Sequence, residues 1–169
     1  MIWLALSLLV LVQFFAAAQA CSKAGKLAGL IHYAGSVTGD FPTALDGDPA
    51  VQARLQRLSP AVQAHLKRNL DVRGPVDLVS CHLVISGNAD HMGGEENAIL
   101  DVNLYSGAVT AAILSHGHIT VYLDKDPTAG PVYDAAVPPA VRRWAAMAAT
   151  DFHGIGRPPP NTEVMHQAQ

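Results

Sequence analysis

The sequence predicts an α+β fold in which an antiparallel β-meander sheet is flanked by helices, arranged as a single domain after a signal peptide. Hydrophobic residues recur at helical spacing up to Leu70, and from Val76 onward they alternate as in strands. A helical pattern returns after Pro139, and helices, strands and a helix in that order are typical of the α+β class. The chain has 169 residues, 50% of them hydrophobic, which is enough for one domain with a substantial core.

The first twenty residues, MIWLALSLLVLVQFFAAAQA, have the pattern of a removable export signal. An apolar stretch over 2–15 is followed by Ala18-Gln19-Ala20, a small-x-small pattern of the kind that signal peptidase cleaves. No Lys or Arg precedes the apolar stretch, and a retained anchor helix is the alternative. We therefore expect a signal peptide at 1–20, a domain at 21–153 and a flexible C-terminal tail at 154–169, with a periplasmic location.

Two cysteines, Cys21 and Cys81, remain after the expected cleavage. In an oxidising compartment an even pair usually forms a disulfide, which is the first expectation here. The alternative is lipidation of Cys21, which would make the chain an outer-membrane lipoprotein. Ala18 and Gln19 do not match the usual lipoprotein signal, and a lipidated Cys21 has no thiol left for the disulfide.

The helical half of the chain contains three segments with capping or periodicity signals. A short, poor helix is expected over 22–34, followed by a loop over 35–49 that is rich in Gly, Pro and Asp. A helix is expected over 50–58, where apolar residues lie at i, i+4 and i+7. Ser59 and Pro60 are typical of an N-cap and a first helical position, so a second helix should begin there.

The strand half begins with a single predicted strand over 76–86. Its core face is expected to consist of four alternate residues: Val79, Cys81, Leu83 and Ile85. Short turns then connect three further strands, and consecutive strands joined in this way form an antiparallel meander. A polar connection over 124–139 leads to the last helix, in which Val141 and Trp144 face the core. These three further strands are expected over 98–104, 108–114 and 119–123.

Composition and motifs give little support to catalysis or nucleic-acid binding. The formal net charge is −3 and no basic stripe occurs, so a nucleic-acid partner is not expected. No nucleophile elbow or phosphate-binding glycine pattern is present, and no cofactor is expected. His116 and His118 lie two apart in a turn and are interpreted as turn residues, while a zinc enzyme using His91, His116 and His118 is the alternative. His82 is expected on the outer face of its strand, and the remaining histidines, including His65, have no apparent companions.

The segment SGNADHMGGEENAILDV, residues 86–102, carries the strongest candidate site. Its 87–96 part connects two strands, so both ends of the loop should be firmly held. A loop held in this way can enter a partner's cleft with little further ordering, although a solvated hairpin connection is the plainer interpretation. The target-binding loop is predicted to comprise eight residues: Gly87, Asn88, Ala89, Asp90, His91, Met92, Gly93 and Gly94.

This segment resembles the inhibitory loop of the inhibitor-of-vertebrate-lysozyme (Ivy) family of periplasmic proteins. The family pattern is Cys-Lys-Pro-His-Asp-Cys followed by Gly, between two apolar strands. In an ungapped comparison the family histidine falls on His91 and the glycine on Gly94, while Asn88 and Gly93 replace the two cysteines. The disulfide that stiffens the family's loop is therefore absent here. The resemblance extends over roughly residues 50–148.

The resemblance implies a non-enzymatic, exported protein inhibitor of a lysozyme or a related peptidoglycan hydrolase. It implies that His91 contacts the catalytic carboxylates of the target. It leaves open whether the target is a host muramidase or a competitor's hydrolase, in which case the chain is an immunity protein. Some family members form dimers, so a homodimer is one expectation. The alternative function is an envelope lipoprotein or scaffold anchored to the membrane at Cys21, without inhibitory activity.

Overall fold

A computed structural model describes residue 21 and residues 25–36, 45–123, 137–152 and 161–166. The predicted signal peptide at 1–20, most of the connection over 124–139 and the rest of the tail lie outside the described residues. Within the described ranges, helices cover both faces of one β-sheet, which confirms the predicted α+β class.

The helices begin where the capping signals predict. A 3₁₀ helix covers Ala28–Tyr33, α1 covers Pro49–Leu55, α2 covers Pro60–Asn69 and α3 covers Pro139–Phe152. The hydroxyl of Ser59 accepts a hydrogen bond from the backbone N–H of Val62 at the start of α2, as expected for an N-cap. Where a poor helix was expected over 22–34, the structure has the 3₁₀ helix Ala28–Tyr33. Residues 22–24 of that expected helix are not described.

Seven strands within the described residues form one sheet in the order β1-β3-β4-β5-β6-β7, with β2 also paired to β3. Strands β3 to β6 form the predicted antiparallel meander. The strand bounds are β1 Val72–Arg73, β2 Asp77–Val79, β3 His82–Asn88, β4 Glu96–Asn103, β5 Val109–Ser115, β6 His118–Leu123 and β7 Asn161–His166.

The prediction of a single strand over 76–86 is wrong, because the chain reverses at Ser80 and Cys81. These two residues have φ values of 49° and 64° and connect β2 to β3 as a tight hairpin. Positive φ at both central residues is characteristic of type I′ hairpin turns, which usually contain Asn or Gly. Val79 therefore ends a short outer strand and is 40% exposed, whereas Leu83 and Ile85 are buried as predicted.

The tail also differs from the sequence expectation. Asn161–His166 forms β7, which pairs in parallel with β6 from His118 to Leu123. The expectation of a flexible tail therefore fails for these six residues. The reason is that β6 otherwise offers a free edge of backbone N–H and C=O groups, and a later segment can pair with such an edge whatever its side chains are.

Both faces of the sheet are buried, so the fold contains two apolar clusters rather than the one predicted core face. Leu83, Leu100 and Ala111 lie in the cluster under α1 and α2. Ile99 and Leu114 lie in the cluster under α3, together with Trp144. The sheet is thus a central layer whose strands are fixed from both sides, which gives its end loops a rigid base.

The disulfide predicted between Cys21 and Cys81 is present, with the Cα atoms 5.3 Å apart. It attaches the start of the described chain to the β2–β3 turn. The backbone C=O of Cys81 also accepts a hydrogen bond from the N–H of Leu104, so this end of the sheet is fixed by a covalent bond and by a backbone contact.

Candidate functional site

The candidate loop leaves the sheet at the end opposite the disulfide. Strands β3 and β4 stay in register up to the pair Asn88↔Asn97, so the loop proper consists of residues 89–95. The β5–β6 turn lies at the same end, because Glu96 pairs with Ser115 and Ser115 pairs with His118. At the base of the loop, the ends of β3, β4 and β5 are therefore paired in one sheet.

The loop is closed by its own backbone hydrogen bonds. The N–H of Ala89 donates to the C=O of Glu96 at 2.9 Å, and the N–H of Met92 donates to the C=O of Ala89 at 3.0 Å. The C=O of Met92 in turn accepts from Glu95 and Glu96, at 3.1 and 3.0 Å. These bonds make the loop a compact pair of turns rather than an open connection.

Two asparagine side chains add to this closure. Asn88 Nδ2 donates to the C=O of Ala89 at 2.8 Å, and Asn97 Oδ1 accepts from the N–H of Gly94 at 3.1 Å. Gly94 has φ +87°, a conformation that a glycine adopts without the steric penalty of a Cβ atom. The turn before β4 therefore depends on this glycine.

His91 lies at the tip of the loop and points into solvent, with 93% of its side chain exposed. Its φ of 57° is left-handed, which is uncommon for residues other than glycine but less so for His, Asn and Asp. Its Nε2 lies 3.4 Å from Oδ2 of Asp90, which is itself exposed. Beside it, Met92 is partly exposed, so the tip offers an imidazole and an apolar thioether to a partner.

Glu96, the first residue after the loop, has the opposite environment, with 1% of its side chain exposed. Its Oε2 accepts hydrogen bonds from His65 Nε2 at 2.7 Å and from an Arg68 guanidinium nitrogen at 2.6 Å. Asn69 Nδ2 also donates to Oε2, at 3.0 Å, and the Ser115 hydroxyl donates to Oε1 at 2.6 Å. A buried carboxylate is stable only with such partners, and here they are supplied by α2 and β5.

The pKa of Glu96 reflects this competition. Burial alone would raise the pKa, but hydrogen bonds from Ser115, His65 and Asn69, together with the charge of His65, outweigh burial and lower the pKa of Glu96 from 4.5 to about 2. The group is therefore a carboxylate at every pH at which the protein is expected to work, and it can serve as a permanent acceptor at the base of the loop.

Several sequence expectations about individual residues are corrected here. Glu96 ends the 87–96 segment, whose plainer interpretation was a solvated connection, and His65 was expected to lack companions, yet the two are directly hydrogen-bonded. His82, expected on an outer face, is half-buried, and its Nδ1 lies 2.6 Å from Asp101 Oδ1. The spacing of His65, Arg68 and Asn69 at i, i+3 and i+4 was the available signal, because it places three donors on one face of α2.

Two structural features bear on the alternative functions. His116 is 82% exposed in the β5–β6 turn, and among the described residues no three His, Cys, Asp or Glu side chains are grouped as metal ligands would be. Helices long and apolar enough to cross a membrane were sought in the described ranges, and none was found.

The model of one protein family, described as inhibitor of vertebrate lysozyme (Ivy), matches residues 50–151. This span covers more than half of the 169 residues and contains α2, strands β1 to β6 and the whole candidate loop. Comparisons with curated proteins and with solved structures gave no significant match. The family match agrees with the strand–loop–strand arrangement around His91, and the chain belongs to the Ivy family of lysozyme inhibitors.

Proposed function

We propose that this chain is an exported inhibitor of a lysozyme or related peptidoglycan hydrolase, and that it inserts the 87–96 loop with His91 into the target's catalytic cleft. Membership of the Ivy family supports an inhibitor, rather than an enzyme, with a lysozyme-type partner. The observation that carries the loop assignment is the exposure of His91, 93% of whose side chain is accessible at the tip of a loop held by two paired strands.

The chemistry of the target explains why an imidazole would be effective. Retaining glycosidases hold two carboxyl groups about 5–5.5 Å apart, on either side of the scissile bond. A protonated imidazole has two N–H donors on opposite sides of a small ring, and it can hydrogen-bond to both carboxyl groups at once. A loop that places His91 between them would also fill the space that the sugar needs.

The compactness of the loop also supports the proposal, because it lowers the entropic cost of ordering the loop on binding. Ordering a mobile loop on binding opposes association, typically by about 0.5–1.5 kcal/mol for each immobilised flexible side chain. Residues 89–95 already share hydrogen bonds in the free protein, so much of this ordering precedes binding. A cleft-inserting loop needs this property, because its few residues must supply most of the binding energy.

The test is a turbidity assay of cell-wall lysis by c-type lysozyme in the presence of the mature protein. We expect inhibition by the wild type, and we expect His91→Ala to raise the inhibition constant by about thirtyfold, as for a binding hot spot of 2 kcal/mol. The matched control is His32→Ala, which removes another exposed imidazole, from the 3₁₀ helix Ala28–Tyr33 and not from the loop. Full lysozyme activity at micromolar protein would refute the lysozyme target, and equal inhibition by wild type and His91→Ala would refute the role of His91.

Export and the choice of target are part of the proposal. Cleavage after Ala20 and a periplasmic location predict a mature protein that begins at Cys21, which mass spectrometry of the purified protein measures. A lipid on Cys21 would instead support the scaffold alternative, but the Cys21–Cys81 disulfide occupies the sulfur that a lipid needs. Capture of partners from host secretions and from competitor periplasm distinguishes host defence from immunity, and sedimentation of the free protein tests for a homodimer.

A further inference from the structure

We infer that Glu96 is the positioning residue of the inhibitory loop, because its buried carboxylate fixes the residue on which both ends of the loop close. This inference rests on the proposed function only for its consequence, which is tight binding. The fixing of the loop itself is a property of the free protein and can be measured without any target.

The first step is that Glu96 connects three parts of the fold. Its carboxylate accepts from three α2 side chains and from the Ser115 hydroxyl of β5, while its backbone belongs to β4. Asn69 reaches further, since its Nδ2 also lies 3.3 Å from the backbone C=O of Leu114. The start of β4 is therefore held against a helix on one side and a neighbouring strand on the other.

The second step is that the same residue closes the loop through its backbone. The C=O of Glu96 accepts from Ala89, the first loop residue, and the N–H of Glu96 donates to Met92, next to the tip. A displacement of Glu96 would therefore stretch both contacts at once. Fixing its side chain fixes the path of residues 89–95, and with it the direction in which His91 points.

The third step is that, among the described residues, no covalent bond crosses the loop. The cysteine pair lies at the opposite end of the sheet. The loop nevertheless approaches itself closely, because a Cβ atom built on Gly93 would lie 3.8 Å from Cγ of Asn88. Hydrogen bonds anchored on Glu96 thus do what a covalent crosslink between positions 88 and 93 would otherwise do.

The experiment measures amide hydrogen exchange of Met92, Gly94 and Glu95 in the free protein. We expect Glu96→Gln to speed exchange of these amides about tenfold, the effect of one lost charge-assisted hydrogen bond. The matched control is Asp101→Asn, because Asp101 is also 1% exposed and also contacts a histidine, but lies five residues further along β4. The loop amides of the Asp101→Asn protein should exchange as in the wild type.

A crosslink gives the second arm. Asn88→Cys with Gly93→Cys, added to Glu96→Gln, should restore slow exchange in the loop when oxidised and lose it again on reduction. Ser115→Ala removes a single donor to Glu96 and serves if Glu96→Gln does not fold. Loop exchange that is unchanged in both Glu96→Gln and Ser115→Ala would overturn the positioning role.

Inhibition of lysozyme is measured on the same variants. Faster loop exchange together with weaker inhibition, both restored by the oxidised crosslink, is the expected result. Faster exchange in a protein whose wild type does not inhibit lysozyme would leave Glu96 as the positioning residue and refute the proposed target. Unchanged loop exchange in the variants, together with inhibition that depends on His91, would refute the positioning role of Glu96 and leave the proposed target in place.

Discussion

The buried carboxylate of Glu96 should make the stability of this protein depend on pH in a way that one substitution removes. The pKa of Glu96 is about 2 in the folded protein, against an ordinary value of 4.5. Because each pKa unit corresponds to about 1.4 kcal/mol, linkage gives Glu96 about 3 kcal/mol of stabilisation at neutral pH. The Glu96 side chain is 1% exposed, but its partners His65 and Arg68 are 31% and 55% exposed, so solvent screening makes this value an upper bound.

The direction in which stability changes with pH follows from proton binding. Between about pH 5 and pH 2 the unfolded chain takes up a proton at Glu96 that the folded protein does not, so acid favours unfolding. The stabilisation is complete above about pH 5, falls as the pH drops through this window and is absent below about pH 2. Glu96→Gln has no proton to bind, so its free energy of unfolding should lack this component.

Urea unfolding at a series of pH values between 7 and 2 measures the effect. In a chain that lacks the proposed signal peptide Trp144 is the single tryptophan, and because it is buried between α3 and the sheet its fluorescence is a probe of unfolding. We expect the difference in free energy of unfolding between the wild type and Glu96→Gln to be about 3 kcal/mol larger at pH 7 than near pH 2. The substituted amide can add an offset that does not vary with pH. Parallel stability curves for the two proteins would therefore refute the reasoning.

Three further variants test other parts of the fold. Replacing both Cys21 and Cys81 by Ser should lower the free energy of unfolding by about 4 kcal/mol, as expected from loop closure for cysteines 60 residues apart, measured in urea without reductant. Ser59→Ala removes the N-cap acceptor of α2 and should lower it by about 1 kcal/mol, with thermal unfolding as the measurement. Gly87→Ala places a Cβ 2.7 Å from the backbone C=O of Val72, so β1 should separate from β3 and its amides lose protection from hydrogen exchange.

The sequence predicted those parts of the fold that follow from local rules. Ser59 and Pro60 mark the start of α2 because an N-cap and a first helical residue are defined by their immediate neighbours. Strands β4, β5 and β6 were predicted because strand-like apolar segments lie there between clear turns. The disulfide was predicted because two cysteines in a chain expected to be exported have one possible pairing.

The failures have physical reasons too. The turn at Ser80 and Cys81 carries no Gly or Asn, so nothing in its residue types indicates positive φ. The strand Asn161–His166 is paired through its backbone to β6, and backbone pairing leaves no trace in side-chain periodicity. In both cases a long-range contact determines the local conformation.

Only the exposed side of the candidate site was predicted, because the buried side also depends on long-range contacts. The exposed side of the loop could be proposed from its glycines and from His91, which are local features. The buried side could not, because Glu95 and Glu96 are adjacent and equal in charge. Only packing against α2 decides that Glu96 is the one that points inward.

The fold holds its two ends by different chemistry, and this separates stability from loop geometry. Cys21–Cys81 fixes the β2–β3 turn, whereas Glu96 fixes the opposite end, at the far side of a seven-residue strand that is roughly 20 Å long. Reduction should therefore lower global stability while leaving the loop of the folded fraction unchanged, because the loop hydrogen bonds described above involve neither cysteine. Loss of the Glu96 carboxylate acts in the other place, since its donors lie beside the loop and its backbone closes it. The position of His91 thus depends on a buried carboxylate and its hydrogen bonds, and the disulfide contributes only by keeping the domain folded.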